Sequence, residues 1–79
     1  MEVDDDEALK RIAYNLRRLR GELSLAEIAR RSDTYPAAIK RIEDGQNMPG
    51  VGLLTRIARA LGVAIDEFLI PPKKSRKTG

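Results

Sequence analysis

Helix-stopping and turn-forming residues recur at short intervals along this chain, and that spacing limits what it can fold into. Gly21, Ser32-Asp33-Thr34, Gly45, Gly62 and Pro71-Pro72 mark the breaks. Between them apolar residues step by threes and fours, the repeat of one helix face, and no long stretch alternates as a half-buried strand would. The spacing predicts helices over about residues 6–21, 25–32, 36–44, 51–61 and 64–69. Segments this short are not stable alone in water, so each must lean on a shared core. The expectation is an all-α, compact five-helix bundle in a single domain of 79 residues.

Local signals support each start and stop. Leu9, Ile12, Ala13, Leu16 and Leu19 put one apolar face on the first helix, and Asp4 with Glu7 has the spacing of a capping box. Ser24 and Glu27 repeat that spacing before the second helix, with Leu23 and Ile28 placed to staple its entrance. Pro36 suits the first turn of the third helix and Gly45 its end. Val51, Leu54, Ile57, Ala58 and Leu61 face inward on the fourth; Ile65, Phe68 and Leu69 supply the fifth.

Charge divides the chain into three parts. Residues 1–6 form an acidic arm, 7–70 hold the folded domain, and 71–79 are a basic tail with nothing to bury and an expectation of disorder. The arm reads most simply as solubility and helix capping. The tail reads as a phosphate-binding arm, a localisation patch or the start of a linker. A net charge of +3 and a pI near 9.6 point to a polyanionic partner. The chain has no His and no Cys, which removes the commonest general base, thiol chemistry and cysteine zinc sites. With no glycine-rich phosphate loop either, an enzyme is not expected, nor a cofactor or metal. Asp66-Glu67 are adjacent on a helix, so they point apart and suit its first turn. No apolar run approaches the ~18 residues of a membrane span, so no membrane partner is expected.

The second and third helices are separated by a few turn-forming residues, which is what a helix-turn-helix requires. On the third helix, Ala38, Ile39, Ile42 and Glu43 fall on one side, and Pro36, Ala37, Lys40, Arg41 and Asp44 on the other. Leu23-Ser24, Ile28-Ala29, Ile39-Lys40-Arg41-Ile42-Glu43-Asp44-Gly45 and Arg56-Ile57-Ala58-Arg59-Ala60-Leu61-Gly62-Val63-Ala64-Ile65-Asp66-Glu67-Phe68-Leu69 together resemble the Cro/C1-type (XRE) helix-turn-helix family, over about residues 8–70.

The resemblance implies a lambda-repressor-like fold and sequence-specific binding of double-stranded DNA by a transcriptional regulator, most simply a repressor. Such a protein would work in the cytoplasm of a bacterium or phage host, on the nucleoid. The third helix would lie in the major groove, with the start of the second on the phosphate backbone. The DNA-binding set is then Leu25 (through its amide), Tyr35, Pro36, Ala37, Lys40, Arg41, Gln46 and Asn47. Arg41 and Lys40 can meet guanine edges, and the Ala37 methyl a thymine methyl. Glu43 sits on the inward face and needs a cation; the resemblance assigns that part to Arg18, as a structural salt bridge.

Four departures bear on function. Leu25 stands where the family often has a phosphate-binding Gln. Asp33 stands in a turn that often carries Gly. Pro36-Ala37-Ala38 opens the reading helix without a base-reading group, and Asp44 at its far end would repel phosphate. A homodimer on a two-fold site is expected, because one reading helix makes few base contacts. The fifth helix and residues 68–72 are the candidate surface, which an exposed Phe68 or Ile70 would mark. The alternative is a protein-interaction module on the same scaffold, an antitoxin or adaptor with a protein partner.

Overall fold

The computed structural model describes residues 4–72. They form α1 (Asp5–Arg20), α2 (Leu25–Arg31), α3 (Pro36–Glu43), α4 (Val51–Leu61) and a closing 3₁₀ helix (Ile65–Leu69), with no strand among them. The all-α architecture and element order are as expected. The fifth helix is a 3₁₀ helix rather than an α-helix. Between Gly62 and Pro71 there is room for only a short turn, and Glu67 N–H donates to the Ala64 carbonyl at 3.0 Å in the tighter i→i+3 pattern. Residues 73–77, which hold the charges of the basic tail, lie outside the described residues, as do residues 1–3 of the acidic arm.

The helix starts follow the capping signals by half. Asp4 Oδ1 accepts from the Glu7 amide at 2.8 Å, and Ser24 Oγ from the Glu27 amide at 3.0 Å. The return half of each box is not made. Glu7 instead pairs with Arg11 at 3.0 Å, and Glu27 with Arg30 and Arg31. A guanidinium one turn on makes a stronger, charge-assisted bond than the cap amide.

Three helix ends close in one geometry. Gln46 N–H reaches back to the Arg41 carbonyl past Gly45, and Val63 N–H to the Ala58 carbonyl past Gly62; both glycines lie at positive φ. At the end of α2, Thr34 N–H donates to the Ala29 carbonyl at 2.9 Å and Asp33 takes the left-handed slot at φ 58°. Asp33 thus does the work that glycine does at the other two ends, with a Cβ to accommodate.

Leu16, Ile28, Ile39, Ile42, Ile57 and Phe68 are fully buried and form the centre of the core. Leu23, from the α2 entrance, packs against them. α1 packs on α3 and on the 3₁₀ helix, and α2 on α3 and α4. Val51 departs from expectation at 76% exposed. It has the phase of the inward stripe, but it opens α4, and no element covers that first turn. Phe68 is in the core and does not mark a surface, whereas Ile70 is 43% exposed.

Asn15 is buried on the inward face of α1 and is the polar centre of the fold. Its Nδ2 donates to the Phe68 and Ile70 carbonyls at 3.0 and 2.8 Å, and its Oδ1 accepts from Arg18. Arg11 adds a bond to the Leu69 carbonyl at 3.0 Å.

Candidate nucleic-acid interface

α3 owes its position to its inward side. Ile39 and Ile42 are fully buried, which turns Pro36, Ala37, Lys40, Arg41 and Asp44 to solvent, the division expected from the helical repeat. Tyr35 caps the helix entrance through its backbone and is 76% exposed, so its ring does not cover the core. Gln46 and Asn47 are exposed in the loop that follows, as is Met48. These residues therefore form one run of surface along α3 and its two ends. Leu25 stands apart. Its side chain is half-buried and packed against the core, so only its amide, at the start of α2, is available to an anion.

The cations of this surface are not equivalent. Lys40 Nζ donates to both carboxylate oxygens of Asp44 at 2.8 Å. Arg41, its neighbour, forms no ion pair among the described residues. On α2, Glu27 draws in both Arg30 and Arg31. The hydrogen bond from Arg30, and after it that from Arg31, holds the Glu27 carboxyl below the usual carboxylate range.

Glu43 is buried and does need a cation, but that cation is Arg20, not Arg18. Arg20 donates to both Glu43 oxygens, with Nη2 to Oε1 at 3.0 Å, and also to the Leu23 carbonyl. The Glu43 hydrogen bond pushes the Arg20 guanidinium further toward its charged form, against the opposing effect of burial. Arg17 caps the same corner through the Glu43 carbonyl. Arg18 turns the other way, to Asn15 and to Glu67 at 3.6 Å. The reason is in the helix repeat: Arg20 lies four residues after Leu16, on the inward face, and Arg18 only two. The bidentate pair ties the end of α1 to the end of α3 and so sets how the exposed face of α3 is presented.

Two further contacts escaped the sequence reading. Arg56 Nε donates to the Ser32 carbonyl at 2.8 Å, which fixes α4 against the turn between α2 and α3. Asn15 carries a sequence signal of its own: a polar residue three after Ile12, on an apolar face, points to a buried hydrogen-bonding role.

Residues 15–68, more than half the chain, match the helix-turn-helix family. The fold is similar to the crystal structure of a hypothetical transcription factor, NHTF, from Neisseria, at a TM-score of 0.77 and 28% identity, over 91% of this chain and 86% of that one. No curated protein matches the chain. With the paired α2 and α3, the closing Gly45 and the exposed face of α3, these matches place the chain in the Cro/C1-type (XRE) helix-turn-helix family of DNA-binding transcription regulators.

Proposed function

We propose that the protein binds a specific site on double-stranded DNA with α3 in the major groove, and represses transcription by occupying that site. The observation that carries this reading is the exposed face of α3 with Arg41 free of any carboxylate among the described residues. A guanidinium so placed can bond guanine O6 and N7 bidentately. Around it, the Ala37 methyl meets a thymine methyl and Pro36 packs at the groove edge. Tyr35, Gln46, Asn47 and the Leu25 amide hold the backbone, and Lys40 lies beside them. No side chain at the opening of α3 offers a base-reading amide or guanidinium, so the shape of the DNA contributes to selection. The site of action is the nucleoid, in the cytoplasm of a bacterium or a phage host.

The regulator acts as a homodimer on a two-fold site. Ile65, Leu69 and Ile70 are exposed at the closing 3₁₀ helix, and Ile70 and Pro71 line, with Tyr14, a cavity of about 340 Å³. That surface lies on the α1 side of the fold and leaves α3 uncovered.

Selection from a random duplex pool, followed by titration of the winning site, tests the proposal. The expected result is a two-fold symmetric motif whose binding is weakened by Arg41→Ala about tenfold or more, the worth of one bidentate base contact. Equal binding of every sequence, untouched by Arg41→Ala, would refute base reading. One observation favours a second reading, a protein partner: Tyr35, Met48 and Val51 are exposed apolar groups flanking α3 in the chain. Stoichiometric co-purification with a protein, without DNA binding above background, would favour it.

A further inference from the structure

We propose that Asp44 sets specificity by neutralising Lys40, so that α3 carries one less cation for indiscriminate phosphate binding and leaves discrimination to Arg41. The inference rests on the reading of α3 as the DNA-reading helix.

Nothing about helix stability explains the pair. Asp44 is the C-cap of α3, where the exposed carbonyls make a negative charge unfavourable. Its capping bonds, to the Lys40 and Ile42 carbonyls, are made by its backbone N–H and need no carboxylate. The order is also the poorer one, with the base four residues before the acid. Both groups are on the exposed side of the helix, where such pairs contribute little to folding. An acid in this place is nevertheless bonded through both oxygens to the one lysine of the reading face.

The consequence falls on DNA binding. Indiscriminate affinity comes from cations that displace the counterions of phosphates. Lys40 beside Asp44 presents little net charge to a phosphate and so displaces fewer counterions than a free lysine, and breaking the pair would leave a bare carboxylate facing the backbone. Among the described residues Arg41 has no such partner, and it can engage a base edge wherever the sequence offers one. Weakening the indiscriminate term while keeping the base contact widens the ratio between the right site and all others.

Asp44→Asn, Lys40→Gln and the double variant separate the possibilities. Binding is measured to a random-sequence duplex and to the selected site, over a range of salt. Asp44→Asn is expected to bind the random duplex several-fold more tightly, with a salt dependence steeper by about one phosphate contact, a slope change near 0.9. Affinity for the selected site should rise less, so the ratio falls. In the Lys40→Gln background, Asp44→Asn should give a clearly smaller gain, only the relief of the bare carboxylate's repulsion of phosphate. Unchanged random-duplex binding and salt dependence in Asp44→Asn, with the parent protein binding DNA, would overturn the proposal and leave the reading of α3 intact. An equal gain in the Lys40→Gln background would overturn it too, since Asp44 would then act on phosphate directly. A loss at the selected site alone would make Asp44 a base acceptor instead. If no variant binds any duplex at low salt, the DNA reading itself fails and this proposal with it.

Discussion

At the scale of single residues, the buried carboxylate of Glu43 is the sharpest constraint. A charge that far from water demands a partner, and that demand was legible from its place on the inward side of α3. Which arginine answers it was legible too, from the helix repeat, but the family resemblance pointed to Arg18. The two assignments separate by stability. Arg20→Ala strands Glu43 and should cost about 3 kcal/mol. Arg18→Ala, which removes an exposed pair at 3.6 Å and both bonds to Asn15 Oδ1, should cost less, about 1–2 kcal/mol. Denaturant titration of the two variants decides between them. The Ser32 hydroxyl, buried without a hydrogen-bond partner among the described residues, has no counterpart in any sequence pattern. Its cost depends on the surrounding packing, which no local spacing records.

At the scale of elements, starts and ends were legible almost to the residue, because Ser24, Pro36, Gly45 and Gly62 each act through their own backbone or nearest neighbours. The reach of Glu7 and Glu27 was not, because it depends on which of several arginines lies one turn on. Asp33 occupies a slot that suits glycine, so Asp33→Gly should raise stability by up to about 1 kcal/mol, read as a higher midpoint in thermal melting. Glu27 offers a test in pH. Its carboxyl is held below the usual range in the folded protein, so its contribution is present above about pH 4.3, the ordinary value for a glutamate, and is lost as the pH falls through the lowered one. Glu27→Gln should therefore lower stability most near neutral pH and flatten the acid side of the profile, the variant and the parent converging in strongly acid solution. Urea midpoints taken from neutral pH down to strongly acid solution would show it.

At the scale of the whole molecule, the all-α bundle followed from short amphipathic segments that cannot stand alone, and the core residues from their shared phase. Val51 shows the limit of that phase argument: it predicts the direction of a side chain, not whether anything lies above it. The joining of α1 to the end of the chain was not visible at all, because Asn15 and the Phe68 and Ile70 carbonyls are brought together only by the fold. Asn15→Ala should cost about 2 kcal/mol, since buried carbonyls lose their donors. Amide exchange should quicken in the 3₁₀ helix before it does in α3.

The three successive carbonyls of Phe68, Leu69 and Ile70 are all held by side chains near the middle of α1, while α3 is held by Arg17 and Arg20 at its carboxyl end. One helix thus serves as a strut loaded at two separate points. Cargo fused beyond Pro72 would hang from the first, and its drag or pull would run into α1 without passing through the helix proposed to grip the groove.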